Sequence, residues 1–309
     1  MNELQAQAAV QQIVAGITRT ARQINFVDQG STSAVWRVET DQDALAVRLA
    51  TPHDGKSARF EGEAGLRVQL FARDSRVAQP IASNVTHPEL VAPEIEWCVD
   101  SFVAGETLIR GALPKNVCHD LGELLAKLHT LPAEGYGLLV NRRDTIRGRA
   151  DNVIDGLCTR LQDPWPFRPM NLREHPIAQA APHLLPRIEP YRDDLLSLLD
   201  EEPGVPLHTD LHERQMPCVD GRLNGLLDFG DAMVGPVVGD IGSFMGFHGK
   251  AQTQWMLEGY TADRVRRNEL LAQAQLWSIV TSLHHASRAV TLNSAGRMSR
   301  VIQFLEENL

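Results

Sequence analysis

The sequence is poor in cysteine, has no excess of positive charge and contains no long apolar run. Its four cysteines stand singly, which argues against a disulfide framework and paired metal-ligand spacing; they are Cys98, Cys118, Cys158 and Cys218. The formal net charge of −9 leaves no basic surface for nucleic acid. No apolar run approaches the roughly eighteen residues of a membrane span, and residues 1–10 lack the segments of a secretory signal. We therefore expect a cytoplasmic protein that binds neither nucleic acid nor membranes.

The spacing of apolar residues predicts a β-rich beginning and a helical remainder. Runs at Val35–Val38 and Ala44–Leu49 are typical of strands. Helical spacing is found over residues 3–22, 59–73, 116–129 and 191–200, and from 269 through 283 to 305. Because 309 residues exceed what one hydrophobic core usually supports, two lobes are expected. The predicted class is α+β, with a small β-rich N-terminal lobe and a larger, mostly helical C-terminal lobe.

Two polar motifs, His208–Gln215 and Asp228–Asp231, lie on either side of a predicted hairpin. The dipeptide Asp220-Gly221 between apolar runs is the strongest short-range signal for a two-residue turn. Counting outwards from this turn places Gln215 beside Asp228. A diagonal pair on neighbouring strands is about 7–8 Å apart, a gap that a shared cation can fill. Pro217 indicates that the hairpin is short and lies at an edge.

These motifs contain the groups that phosphoryl transfer requires. The reaction needs a carboxylate to receive the proton of the acceptor hydroxyl, and oxygen ligands that hold magnesium on the nucleotide phosphates. Asp210 is the candidate for the first role, and the side chains of Gln215 and Asp228 are candidates for the second.

The motifs also resemble those of a known family. The strings His208-Thr209-Asp210-Leu211-His212 and Leu227-Asp228-Phe229-Gly230-Asp231, followed by Gly239-Asp240, are similar to the aminoglycoside phosphotransferases. These are small-molecule kinases whose fold is like that of protein kinases. The sequence differs from the family at Gln215, where the usual residue is Asn. Glutamine offers the same amide oxygen on a stem that is one methylene longer.

The resemblance implies a two-lobed fold and a role for each matched residue. A nucleotide-binding lobe would cover residues 1–103, and a catalytic and substrate-binding lobe would cover residues 104–309. Asp210 would be the catalytic base, and Gln215 and Asp228 would bind Mg²⁺. Asp240 would be a structural carboxylate that holds the catalytic loop. The phosphate donor would be ATP, with GTP as an alternative.

The same resemblance implies a nucleotide site in the N-terminal lobe. Arg48 would reach the nucleotide phosphates and pair with Glu63, with Glu61 as the second choice. Backbone groups around Asp100 and Phe102 would bond the adenine edge. A small polar loop between the first two strands could lie over the phosphates; it contains Gly30, Ser31, Thr32 and Ser33.

The resemblance implies a small-molecule alcohol as the acceptor and leaves its identity open. Family substrates include aminoglycosides, macrolides, choline-like amino alcohols, homoserine, sugars and thio-sugars. A pocket for a cationic alcohol could be formed by acidic and aromatic residues, although such acidic residues are more often solvated surface. The candidates are Trp165, Phe167, Asp193, Asp194, Glu201 and Glu202.

Two other classes of protein remain open at this stage, as does the oligomeric state. Because Gln215 and Arg48 differ from the commonest kinase pattern, the chain could bind nucleotide without turnover. It could instead be a metal-dependent hydrolase with a transition metal among four side chains. These are His208, Asp210, His212 and Asp228.

Overall fold

The N-terminal part of the chain is an antiparallel sheet with one helix on each face. The computed structural model describes residues 3–30, 33–50, 58–108, 113–168, 170–199 and 203–309. The elements are α1 (Glu3–Gly16), β1 (Ala21–Gln29), β2 (Ala34–Thr40), β3 (Ala44–Ala50), α2 (Phe60–Phe71), β4 (Pro80–Ser83) and β5 (Glu96–Ser101). The strand order of the sheet is β1-β2-β3-β5-β4. The two predicted strands in this region are confirmed.

The first helix is shorter than the helical spacing predicts. It ends at Gly16, and β1 begins at Ala21, so residues 21 and 22 belong to a strand. Between them Thr18 has a φ of 60°, in the left-handed region that commonly ends a helix. The predicted helix 191–200 is also too long, because α7 below covers only Arg192–Ser197.

Strand β3 separates an apolar face from a face that carries a charge. Leu45 and Val47 are fully buried and pack with Val10 and Ile13 of α1 in one core cluster. Since successive side chains of a strand point to opposite faces, Arg48 lies on the other side of the sheet, where α2 packs. The predicted alternation in β3 is therefore confirmed.

The remainder of the described chain is mostly helical. Its elements are α3 (Lys115–Leu128), β6 (Tyr136–Leu139), β7 (Gly148–Ala150), α4 (Val153–Cys158), α5 (Pro176–Ala180), α6 (Leu185–Ile188), α7 (Arg192–Ser197), β8 (Val205–Leu207), β9 (Cys218–Val219), β10 (Arg222–Leu223), β11 (Met233–Gly235), α8 (Val238–His248), α9 (Lys250–Tyr260), α10 (Arg264–Thr291) and α11 (Ala295–Asn308). A small sheet has the order β7-β6-β11-β8. Over the described ranges, no helix combines the length and apolarity that crossing a membrane would require.

The predicted hairpin is present and short. In β9 and β10, Val219 pairs with Arg222 and Cys218 with Leu223. The two turn residues Asp220 and Gly221 both have positive φ, 50° and 72°, as a type I′ turn requires. Beyond the paired residues the Leu227 N–H donates to the Gln215 carbonyl at 2.9 Å. This bond brings the two ends of the hairpin together, as the sequence predicts.

Helix α2 contacts both parts of the chain. Its Leu66 and Leu70 belong to the core cluster formed by α3, α8 and α9. At its beginning, the N–H groups of Glu61 and Gly62 donate to the side-chain oxygen of Asn141 at 3.0 and 3.2 Å. The division of the chain at residues 103 and 104 stays a prediction, and α2 is one of the segments through which the two parts pack, together with Arg76, whose carbonyl accepts the Leu226 N–H at 2.9 Å.

Candidate active site

The loop that carries Asp210 is held by Asp240, which lies on α8 and is fully buried. Its carboxylate accepts the N–H groups of His208 at 2.9 Å and Thr209 at 2.6 Å, and lies 3.1 Å from His129 Nε2. Burial by itself raises the pKa of Asp240. The hydrogen bond and charge of His129, together with the charge and backbone N–H of His208, outweigh this effect and hold the pKa below its ordinary value. These contacts agree with the structural role expected for Asp240.

His208 joins the catalytic loop to the second motif. It is fully buried and packs edge-on against Phe229, with ring centroids 4.7 Å apart. Its Nε2 lies 2.7 Å from the Leu227 carbonyl, and its Nδ1 accepts the Asp210 N–H at 3.2 Å. Both ring nitrogens are used by the backbone, so His208 positions Asp210 and is not available as a metal ligand.

His212 lies between the proposed base and the proposed metal ligands. Its Nε2 is 3.5 Å from Asp210 Oδ2 and 3.2 Å from Gln215 Nε2, while its Nδ1 accepts the Arg214 N–H at 3.2 Å. Burial lowers the pKa of His212, which the nearby Asp210 carboxylate partly opposes. The sequence gives no firm role to His212, because the turn at Glu213–Gln215 decides which way each ring nitrogen faces.

The predicted metal pair is brought into contact. Gln215 Nε2 lies 3.2 Å from Asp228 Oδ2. Asp228 has a φ of 58°, and its Oδ1 accepts the Gly230 N–H at 3.3 Å. A left-handed backbone is unusual for a residue other than glycine, although Asp and Asn tolerate it. This conformation turns the Asp228 carboxylate back towards Gln215.

The predicted pair of Arg48 and Glu63 is confirmed. Arg48 NH1 donates to Glu63 Oε2 at 2.8 Å, and Glu63 is only 4 % exposed. A β-carbon built on Gly230 would lie 3.1 Å from Asp228 Oδ1 and 3.5 Å from Glu63 Oε1, so both carboxylates border this glycine. Glu61, the second choice, instead accepts a hydrogen bond from Ser83. The Arg48 pair thus lies beside the loop that contains the metal pair.

Asp100 has a role that the sequence does not reveal. Its buried side chain accepts hydrogen bonds from Arg48 at 3.3 Å and lies 2.8 Å from Arg67 NH1. Asp100 pairs with Ala46 in the sheet, and the Phe102 N–H donates to the Ala44 carbonyl at 2.9 Å. The adenine contact at Asp100 and Phe102 stays a prediction. Such a contact would use the backbone groups of this segment that are not already bonded within the sheet.

The small polar loop is only partly described. The Gly30 N–H donates to the Ser33 carbonyl at 2.9 Å, which closes the connection between β1 and β2. Ser31 and Thr32 lie outside the described residues. The phosphate-binding role of this loop therefore remains a prediction.

Two arginines that the sequence motifs do not indicate hold the loop after Asp228. Arg59, which precedes α2, donates through Nε to the Gly230 carbonyl at 3.1 Å and lies 3.2 Å from Asp231 Oδ1. Arg160 approaches the other oxygen of Asp231 at 3.0 Å. Because Arg59 and Arg160 are distant from Asp231 in sequence and lack a motif, no local signal could have found them.

The acidic and aromatic residues considered for a cationic acceptor do not form a pocket in the described structure. Trp165 and Phe167 are core residues, and Phe167 packs against Trp277 with ring centroids 5.7 Å apart. The side chain of Asp193 is 91 % exposed, and Asp194 is also exposed. Glu201 and Glu202 lie outside the described residues. The interpretation of Asp193 and Asp194 as solvated surface is therefore correct.

We expect Arg48→Met to weaken the binding of magnesium-ATP by about 10- to 100-fold, the range for losing a hydrogen bond between charged groups. Arg48 Nε is buried and has no partner among the residues that the structure describes. Calorimetric titration with a non-hydrolysable ATP analogue measures the change, and Arg22→Met on β1 is the control, since that side chain is exposed on the same sheet. If a folded Arg48→Met protein bound magnesium-ATP with unchanged affinity, Arg48 would not contact the nucleotide, and its role would be only to form ion pairs within the protein.

The fold and the site together define a kinase-like phosphotransferase. An antiparallel sheet with a buried Arg–Glu pair is packed on a helical part that carries Asp210 and Asp228 on neighbouring loops. The chain belongs to the phosphotransferase enzyme family, because residues 23–278 match the model of that family. This confirms the resemblance seen in the motifs.

Solved structures share the fold over nearly the whole chain. The aminoglycoside phosphotransferase APH(4)-Ia, in a ternary complex with ADP and hygromycin B, matches with a TM-score of 0.65 and 13 % identity over 95 % of this chain and 96 % of that one. Spectinomycin phosphotransferase APH(9)-Ia has a TM-score of 0.54 and 14 % identity, over 96 % and 93 %. Macrolide 2'-phosphotransferase MphH from Brachybacterium faecium has a TM-score of 0.54 and 14 % identity, over 96 % and 97 %. A comparison with curated proteins gives no significant match.

Proposed function

We propose that the protein transfers the γ-phosphoryl group of ATP to a hydroxyl of a small molecule, with Asp210 as the catalytic base and Mg²⁺ held by Gln215 and Asp228. Membership of the phosphotransferase family supports this reaction class. Similar folds have been solved with ADP and hygromycin B, and with ATP and streptomycin, which supports ATP as the donor; GTP is the alternative.

The contact between Gln215 and Asp228 beside Asp210 is the observation that carries the proposal; as placed, Gln215 Nε2 donates to Asp228 Oδ2 at 3.2 Å. His212 Nδ1 accepts the Arg214 N–H, so a neutral His212 has its proton on Nε2. That N–H faces Asp210 Oδ2 at 3.5 Å and the Gln215 amide nitrogen, as placed, at 3.2 Å. Rotating the amide by half a turn would give His212 a second acceptor and would exchange the hydrogen bond to Asp228 for a pair of oxygens.

The rotated amide creates a place for a cation. The same Gln215 atom lies 3.2 Å from Asp228 Oδ2, so after rotation two oxygens would face each other. Oxygens repel at this separation unless a cation lies between them, and Mg²⁺, with bonds of about 2.1 Å, places adjacent ligands roughly 3 Å apart. With the amide rotated, the donor set would suit Mg²⁺, and Gln215 would take the place of the usual Asn.

The residues of the chain would act on the acceptor and on the phosphates in turn. Asp210, 29 % exposed, would accept a hydrogen bond from the acceptor hydroxyl, direct it at the γ-phosphate and receive its proton late in the transfer. Arg48 would bind phosphate oxygens from the N-terminal sheet. When bound, Mg²⁺ would supply electrostatic stabilisation of the charge on the transferring group.

The arrangement does not support the metal-dependent hydrolase. That mechanism needs His208 as a metal ligand, but both of its ring nitrogens are bonded to backbone groups. Over the described ranges, the group with metal-ligand spacing is His119, Asp120 and Glu123. There the Asp120 carboxylate already binds the Arg222 side chain at 2.7 Å and the Leu223 N–H at 3.1 Å.

We expect Asp228→Asn to abolish the part of the nucleotide affinity that depends on magnesium. Asparagine tolerates the positive φ of Asp228 and removes only the charge. Calorimetric titrations with and without Mg²⁺ should then give the same affinity for ATP. Asp220→Asn is the matched control, because Asp220 also has a positive φ, 50°, and lies exposed at the far end of the hairpin. A magnesium effect of normal size in Asp228→Asn would show that the ligands lie elsewhere.

The reaction itself is tested by incubating the protein with magnesium-ATP and a pooled library of small alcohols. Mass spectrometry should detect a product heavier by one phosphoryl group, whose formation requires Mg²⁺. Binding of ATP without any phosphorylated product or ATP hydrolysis would support the alternative of a nucleotide-binding protein without turnover.

A further inference from the structure

A partly enclosed pocket borders the catalytic loop. It is lined by Thr209 next to the proposed base, by Ser243 of α8, by Arg160, and by His284 and His285 of α10. The rest of its lining is mainly apolar and includes Leu157, Leu207 and Trp277. Thr209 Oγ1 donates to the Asp231 carbonyl at 2.8 Å, so the pocket adjoins the loops that carry both motifs.

The polar side chains that line this pocket include Arg160 and two imidazoles, with no carboxylate among the described lining residues, although the whole chain has a net charge of −9. Arg160 is only 16 % exposed, and its carboxylate contact, Asp231, is shared with Arg59. Arg297 NH1 lies 3.3 Å from His285 Nδ1 at the neighbouring side of α10. A cationic amino sugar would meet the positive charge of Arg160 and no carboxylate among the described lining residues.

Arg160 also has more donors than the described residues around it offer acceptors. The Gln162 N–H donates to His284 Nδ1 at 2.8 Å, and a neutral imidazole has only one acceptor nitrogen. Burial and the positive charges of Arg160 and His285 keep the pKa of His284 well below its usual range, so the ring is neutral. Its Nε2 therefore carries the proton and faces Arg160 NH1 at 3.0 Å, donor against donor.

A second donor of Arg160 is unmatched as well. Arg160 Nε is buried and has no hydrogen-bond partner within the described parts of the chain. Leaving the donors of a charged group without acceptors is unfavourable, and a bound acid group would supply an acceptor at NH1; Nε has no exposed surface through which a ligand could reach it. The planar fork of a guanidinium matches the two oxygens of such a group.

We propose that the pocket beside Thr209 binds an acid group of the phosphoryl acceptor, with Arg160 as the residue that selects it. The acceptor is then a small hydroxy compound that carries a carboxylate or a phosphate. This inference rests on the proposed function, since it names the substrate class of the same site.

Sorting the acceptor library by charge tests the inference directly. Four arms are incubated with magnesium-ATP: hydroxy carboxylates, alcohols with a phosphate group, neutral polyols, and amino alcohols with aminoglycosides. We expect product from one of the two acidic arms, and which of them reacts identifies the acid group. Product from the neutral or cationic arms alone would overturn the inference and leave the proposed function standing.

A binding measurement separates the failure of this inference from the failure of the proposed function. Hydroxy carboxylates and phosphate-bearing alcohols are titrated calorimetrically into the protein with a bound non-hydrolysable ATP analogue. Binding without product in any arm would support the pocket and contradict the proposed transfer. No binding and no product would overturn both.

Replacing Arg160 separates recognition of charge from a structural role. For Arg160→Met we expect kcat/KM with the acidic acceptor to fall by about 10- to 100-fold relative to kcat/KM with its neutral amide or ester. Arg168→Met is the control, because that side chain is 55 % exposed and pairs with Asp155. An equal loss for the charged and neutral acceptors would assign Arg160 to holding Asp231 and would overturn its role in selection. If Arg160→Met does not fold, the charge-sorted library on the unmodified protein still decides.

Discussion

Replacing Asp210 with alanine is expected to lower the rate of phosphoryl transfer by roughly 10²- to 10⁴-fold, the usual contribution of a positioned base. Magnesium-ATP should still bind with nearly normal affinity, because the loop is held through the backbone N–H groups of His208 and Thr209 by Asp240. The Asp210 side chain itself is 29 % exposed and lies 3.5 Å from His212 Nε2. The two measurements are product formation and calorimetric titration with a non-hydrolysable ATP analogue.

A comparison of variants guards this prediction against general damage to the protein. Asp193→Ala removes a carboxylate that is 91 % exposed and should leave transfer unchanged. If Asp210→Ala lost ATP affinity and rate to the same extent, Asp210 would belong to nucleotide binding and its assignment as the base would be wrong.

The second large effect is expected from Asp240→Asn, which should lower the free energy of unfolding by about 3–5 kcal/mol and abolish transfer. The cost is that of breaking a buried charged network by removing one partner. Asparagine would present an N–H₂ group to one of three donors that now face the carboxylate: the His208 N–H, the Thr209 N–H and His129 Nε2. Urea unfolding, with activity measured on the same samples, checks both parts.

Asp193→Asn is the control for this change, because substitution of so exposed a side chain usually stays within about ±0.5 kcal/mol. A stable Asp240→Asn protein that retained full activity would show that the loop is held by other contacts, such as the hydrogen bond from Ser243 Oγ to the Thr209 carbonyl at 3.1 Å.

The effect of Asp240 should also depend on pH. Its pKa is held below its ordinary value in the folded protein, so the charged form stabilises the fold at pH values above the unfolded pKa of about 4. As the pH falls through the lower, folded pKa, this stabilisation is lost. The difference in unfolding free energy between the natural protein and Asp240→Asn should therefore shrink in acid. A difference that stayed constant down to strongly acidic pH would contradict the assignment of the charge.

Much of the fold and part of the site follow from the sequence by itself, because the relevant interactions are local. The Asp220-Gly221 turn requires two positive φ values, and its register brings Gln215 to Asp228. The period of two in β3 places Arg48 opposite the apolar face of the sheet. The motifs themselves identify the family, and through it the partner Glu63.

Only the tertiary structure decided the contacts between distant segments. Nothing near Asp231 in the sequence indicates that Arg59 and Arg160 converge on it, or that Asp100 anchors Arg48. These ion pairs form only when distant helices and loops pack together. The same packing decides which groups donate and which accept in the hydrogen bonds between them.

The acceptor pocket shows the same limit most clearly. Composition and motifs leave the charge of the acceptor open, since acidic residues such as Asp193 can be solvated or can line a site. Packing brings Arg160 and His284 together beside Thr209, although 124 residues separate them in the sequence. It also places a donor of Arg160 against His284 without an acceptor among the described residues. The sequence determines the chemistry that the loops can perform. The arrangement of donors and acceptors, which sets the kind of substrate, exists only after distant segments have packed against each other.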